Sequence, residues 1–132
     1  NIGGIVAVQV IEESEAHKYG VPSFKDRNKY IIDTIVEKPT TIPPSLFATY
    51  GRYLLDWKIF DYLNLENMYQ GELYVAVAID KLCKVKNVYC KEVAGKWLTT
   101  GDPLNYLKAQ IEFALKREEY REELKKFLQN VK

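Results

Sequence analysis

The sequence predicts an α/β fold in which the strands come first and two amphipathic helices come last. Two observations carry this. Residues 2 to 93 hold several short runs rich in β-branched and aromatic residues, separated by Gly, Pro, Asp and Asn. The last third instead repeats its apolar residues with a helical period. A change of period from about 2 to about 3.6 along one chain is the pattern of a sheet followed by helices that cover it.

The elements follow in order. GGIVAVQVIEE is β-branched and partly alternating, so it reads as a strand. HKYGVPSFKDRNK carries Gly20, Pro22, Asp26 and Asn28 and reads as turn and loop. KYIIDTIVEKP is a second strand, stopped by Pro39, and TTIPPS is a stiff connector whose prolines cannot donate to a ladder. SLFATYGRYLL is a third strand with Gly51 inside it. An interior strand glycine marks a bulge or a close approach by something else. Asp56 is placed to cap a short helix whose stripe is Leu55, Ile59, Phe60 and Leu63.

YQGELYVAVAIDKLCK fits two periods. Leu73, Val75, Val77 and Ile79 alternate, whereas Val75, Ile79, Leu82 and Cys83 share a helical face. Its length and its IDKLCK ending favour helix. VKNVYCKEV is a strand. Leu104, Leu107, Ile111, Ala114 and Leu115 form one helical face, and Tyr120, Leu124, Phe127, Leu128 and Val131 form another.

Bulk properties narrow the function. A net charge of +1 over 132 residues gives no reason to expect a nucleic-acid polymer or an anionic membrane as partner. No apolar run approaches the roughly 20 residues of a membrane-spanning helix. Cys83 and Cys90 match neither CxxC nor a zinc pattern, so two reduced, buried or half-buried thiols and a cytoplasmic setting are expected. The single histidine, His17, has no partner motif for catalysis. The only methionine is Met68, and the chain opens directly in an apolar, strand-like run. Both features lead to the expectation of a piece of a longer protein.

GKWLTTGDPLNYLKA, at 95 to 109, makes an abrupt corner. Asp102 suits the N-cap and Pro103 the first helical position, while Gly101 permits a sharp turn before them. The expected geometry is an aromatic strand end aimed at a helix N-terminus, with Thr99 and Thr100 at its lip. Ligands bind at such places in α/β folds, although a well-capped helix alone gives the same pattern.

YGV at 19 to 21, VEKP at 36 to 39, ATYGRYLLD at 48 to 56 and GDPLNYLKAQIEFALKR at 101 to 117 are similar, in order and spacing, to bacterial UTP–glucose-1-phosphate uridylyltransferases. The resemblance covers nearly the whole chain and is to the C-terminal half of that family. It implies a Rossmann-like nucleotidyltransferase fold with a mixed sheet and two C-terminal helices. Residues 1–132 would then form the sugar-phosphate-binding portion, with the nucleotide-binding half lying outside this sequence. It further implies UTP and glucose 1-phosphate as substrates, UDP-glucose and pyrophosphate as products, Mg2+ as cofactor, and a homo-oligomer.

By the same resemblance Gly20 faces the sugar, Glu37 accepts hydrogen bonds from sugar hydroxyls, Lys38 meets the phosphate, and Gly51 lies beside the pocket. The chemistry suits these roles, since a carboxylate takes two donors and an ammonium is a compact point charge. Adjacent strand residues face opposite sides, however, so Glu37 and Lys38 can cooperate only if the chain twists near Pro39. None of the residues present is expected to be catalytic.

Two positions depart from the family. Thr99 stands where the family carries a magnesium-binding aspartate, and Ala76 and Val77 stand where it tends to carry Thr-Asp. A hydroxyl is a weak ligand for a hard dication. Mg2+ held by a carboxylate elsewhere with phosphates and water, replacement by Asp102, or a weakly active paralogue would each account for Thr99, in that order of preference. Three functions stay open: part of the enzyme, a non-catalytic regulatory relative that binds sugar nucleotide or an active sibling, and a small interaction domain.

Overall fold

The computed structural model describes residues 1–65, 68 and 71–131. They fall into two units, Asn1–Ala94 and Gly95–Lys132. The first unit carries five strands: β1 (Ile2–Val10), β2 (Gly20–Asp26), β3 (Ile31–Glu37), β4 (Phe47–Leu55) and β5 (Asn87–Glu92). Their order in the sheet is β2-β3-β5-β1-β4. β1 runs parallel to β5 and antiparallel to β4, while β3 is antiparallel to both β2 and β5, so the sheet is mixed as expected. One helix, α1 (Val75–Val85), buries Ala78, Ile79, Leu82 and Cys83. These side chains meet Val6, Val8, Ile32, Ile35 and Val88 of the sheet in one core.

The ambiguous segment is therefore a helix, and its expected stripe is the buried one. Tyr69 and Gln70, which open that segment, lie outside the described residues. Asp56 caps a short 3-10 helix, Trp57–Asp61, by accepting from the Lys58 N–H at 2.9 Å. A hydrogen bond from Lys86 holds the Asp56 carboxyl below its usual range, with the Lys58 N–H adding to the effect. Cys83 and Cys90 are both buried free thiols, as expected.

The expected loop at 17 to 29 is a correction: Gly20–Asp26 is a strand. Pro22 is tolerated because β2 is an edge strand, where a missing N–H breaks no second ladder. The turn residues do make a turn, but a short one at the end of the segment. Asp26 Oδ1 accepts from the Lys29 N–H at 3.1 Å, and Tyr30 sits at φ 53 before β3 begins. The two outer strands of the sheet also lean together. Ser45, just ahead of β4, donates to the Pro22 carbonyl at 2.6 Å, and the Phe24 and Phe47 rings meet edge to face at 6.1 Å.

The second unit holds two helices, α2 (Pro103–Lys116) and α3 (Glu118–Asn130). Asp102 caps α2 through the Asn105 N–H at 2.9 Å, and Pro103 takes the first turn, as the sequence indicates. The expected strand end before this cap is a second correction. β5 stops at Glu92, and residues 93–102 form neither strand nor helix. The last ladder bond runs from the Val93 N–H to the Val8 carbonyl, and Gly95 at φ 120 then breaks the extended path. No helix among the described residues is long and apolar enough to cross a membrane.

Candidate functional site

Three of the expected site residues share one corner of the first unit. Gly20 opens β2 and Glu37 closes β3, and the two are directly paired across the antiparallel ladder. Gly20 is buried. A Cβ built on it would stand 2.9 Å from Thr49 Oγ1, 3.0 Å from Glu37 Oε2 and 3.1 Å from Ile35 Cγ2. A carboxylate oxygen and a hydroxyl thus close in on the bare Cα and leave no room for a side chain. A glycine is needed here for that close approach, since its φ is not in the left-handed region.

Lys38 resolves the problem of alternation. It adopts φ 45, a left-handed conformation that costs an L-residue about 1–2 kcal/mol. Its N–H donates to the Tyr19 carbonyl at 3.0 Å, which fixes the turn at the mouth of the hairpin. The twist expected at Pro39 therefore occurs one residue earlier. It breaks the strand alternation between Glu37 and Lys38 that would send the two side chains to opposite faces. Lys38 is exposed and has no ion-pair partner among the described residues, and neither has Glu37.

Gly51 marks the bulge its position suggested. Val6 pairs with Tyr53 and Val8 with Thr49, so Tyr50, Gly51 and Arg52 together oppose Ala7 alone. Gly51 turns this corner at φ 76, and open space lies where its side chain would be. It is a backbone device that shapes β4, with Thr49 and Tyr53 on either side.

Tyr53 joins the same cluster. Burial raises its phenol above the usual range; hydrogen bonding to the Thr49 side chain opposes this, the Glu37 charge adds to it, and the Gly51 backbone opposes it again. Thr49 and Tyr53 stand beside Glu37, and the sequence reading did not single them out. Their signal was present: they lie two residues before and two after Gly51, on the period of a strand face.

Thr99 belongs to the second unit. Its Oγ1 accepts weakly from the Gly101 N–H at 3.4 Å. Asp102, the candidate replacement ligand, has both oxygens engaged by Asn105, one from the N–H at 2.9 Å and one from the side-chain amide at 2.5 Å. Among the described residues no group of three or more His, Cys, Asp or Glu side chains is placed to hold a metal ion. The donors present around Thr99 do not fit Mg2+, which takes its protein ligands as carboxylates.

The mixed sheet, with the Glu37 carboxylate and the Thr49 hydroxyl close against the bare Cα of Gly20, is that of a nucleotidyltransferase-type fold. The chain belongs to the nucleotidyl transferase family, whose model matches residues 1–116. It is 36% identical over 131 residues to a UTP–glucose-1-phosphate uridylyltransferase of Staphylococcus epidermidis, covering 96% of this chain and 46% of that protein. A Bacillus subtilis enzyme of the same name is 31% identical over 134 residues, with 98% and 46% covered.

Among solved structures, a UTP-bound UGPase from Acinetobacter baumannii superposes with a TM-score of 0.82 at 26% identity, covering 98% of this chain and 46% of that one. A UDP-glucose pyrophosphorylase complexed with UDP-glucose gives 0.77 at 28% identity, with 87% and 45% covered. The chain spans about half the length of the relatives it matches.

Proposed function

We propose that this chain forms the sugar-phosphate side of the active site of a UTP–glucose-1-phosphate uridylyltransferase. The observation that carries the reading is the convergence of Glu37 and Thr49 over the bare Cα of Gly20, with Lys38 at the adjoining turn. In the reaction, a phosphate oxygen of glucose 1-phosphate attacks the α-phosphorus of UTP. A new P–O bond forms, the bond from the α-phosphorus to the bridging oxygen breaks, and pyrophosphate leaves. The residues here bind and orient the nucleophile. Glu37 accepts from ring hydroxyls, and Lys38 pairs with the phosphate and holds its oxygen toward the nucleotide. Holding two anionic reactants in line is the larger part of catalysis in phosphoryl transfer.

The nucleotide, and a carboxylate for Mg2+, would be bound by residues outside positions 1–132. Buried free thiols favour a reducing, cytoplasmic setting, and exposed apolar residues such as Phe113 and Phe127 on α2 and α3 favour a homo-oligomer. One observation favours a second reading, a regulatory paralogue that binds sugar nucleotide without turnover: Thr99 is neutral and Asp102 is already engaged.

Pyrophosphate release, measured with UTP and glucose 1-phosphate on the protein expressed from its complete reading frame, separates the two. Turnover that is lost in Glu37→Ala is expected. Absence of turnover at every magnesium concentration, with sugar-nucleotide binding intact, would establish the regulatory reading instead.

A further inference from the structure

Resting on the sugar-phosphate reading, we propose that Ser45 is a positioning residue, whose buried hydroxyl latches β2 onto β4 and so sets the approach of Gly20 and Glu37 to Thr49. β2 and β4 are the two ends of the sheet order, β2 laddered to β3 and β4 to β1. No ladder joins β2 to β4 among the described residues. The candidate site nevertheless needs them together. Gly20 and Glu37 belong to the β2–β3 hairpin, and Thr49 belongs to β4.

The seam between them follows alternate residues. Positions 20, 22 and 24 on one side meet positions 45, 47 and 49 on the other. Gly20 comes so close to Thr49 that an added Cβ would stand 2.9 Å from its hydroxyl. Phe24 and Phe47 meet edge to face at 6.1 Å. Pro22 has no N–H to offer, but its carbonyl can accept. Ser45 Oγ donates to that carbonyl at 2.6 Å and accepts from the Phe47 N–H at 3.4 Å. Ser45 is 6% exposed and Pro22 is fully buried, so water does not reach this bond.

Without the hydroxyl, the Pro22 carbonyl keeps no donor unless the seam opens to admit water, and an unpaired buried carbonyl is unfavourable. Opening the seam moves Gly20, two residues from Pro22, away from Thr49. Ser45 itself does not lie against the Gly20 Cα, so it acts on the site only through the strands it joins. If the sugar phosphate binds only the closed seam, its apparent affinity falls with the closed fraction. The loss of one hydrogen bond sets the scale at about fivefold.

The test is binding of glucose 1-phosphate and, separately, of UTP to the protein from its complete reading frame. Ser45→Ala should bind glucose 1-phosphate about fivefold more weakly and UTP like the parent. Ser45→Cys refills the volume with only a weak donor, so it should be weakened for glucose 1-phosphate as well. Equal losses for both ligands in Ser45→Ala would overturn the inference, since they would mean general destabilisation. Parental affinity in Ser45→Cys would also overturn it, since packing and not the bond would then hold the seam. If Ser45→Ala binds glucose 1-phosphate like the parent while Glu37→Ala binds it weakly, the latch falls and the sugar site stands. If Glu37→Ala binds it like the parent, the site reading and this inference fall together.

Discussion

Replacing Gly20 with alanine adds one methyl group at the centre of the candidate site. The backbone there tolerates a side chain, so the entire cost comes from contacts. The new Cβ meets Thr49 Oγ1 at 2.9 Å, Glu37 Oε2 at 3.0 Å and Ile35 Cγ2 at 3.1 Å. The first distance is too short for any real contact, and the other two are tight. Thr49 and Glu37 must both withdraw, and Ile35 is buried and cannot move far. Overpacking of this kind costs about 1–3 kcal/mol. With a urea dependence of about 1–3 kcal/mol per molar, the midpoint of unfolding should fall by about 1 M.

Glucose 1-phosphate affinity should fall with it, because the two oxygens packed on Gly20 are displaced. Gly20→Ala combined with Thr49→Ala removes the worst contact and should recover part of the stability but not the affinity, since neighbouring sites do not add. A Gly20→Ala protein with the parent's midpoint and the parent's affinity would refute the reasoning, for it would mean that Thr49 and Glu37 do not pack closely on Gly20.

Two further outcomes follow from other parts of the structure. Gly51→Ala meets no neighbour, so it should destabilise by about 1–2 kcal/mol through its left-handed backbone alone, as read by the same urea titration. Burial raises the Cys90 thiol from 9.0 to about 12 and the Cys83 thiol to about 11, so neither should react with a thiol reagent at pH 8 until the protein unfolds. The fold holds their protons more tightly than the unfolded chain does. Their contribution to stability is therefore complete below pH 9 and is lost as pH rises through about 9 to 12, which denaturant titrations across that range would show.

The parts of the fold with a clear period were legible in the sequence. β1, β3, β4 and both C-terminal helices repeat their apolar residues at 2 or 3.6, and α1 was decided by length. β2 was missed because Gly20 and Pro22 look like loop residues. One lets Thr49 and Glu37 pack close and the other is tolerated at a sheet edge, and neither reason is local to the sequence. The strand expected up to Trp97 failed for the opposite reason: Gly95 turns the chain although its neighbours have strand-like composition.

At the site, the resemblance supplied Gly20 and Glu37, and the ladder pairs them. The left-handed turn at Lys38 is a backbone conformation that residue identity does not encode. Thr49 and Tyr53 carried no motif of their own, and only the curl that brings β4 beside β2 puts them next to Glu37.

Mapping amide chemical shifts during a glucose 1-phosphate titration tests the central claim most directly. The account expects the largest changes at Gly20, Glu37, Lys38 and Thr49, together on one binding curve. Changes confined to other parts of the first unit, such as the groove lined by Ala16, His17 and Thr41, with those four amides unmoved, would contradict it.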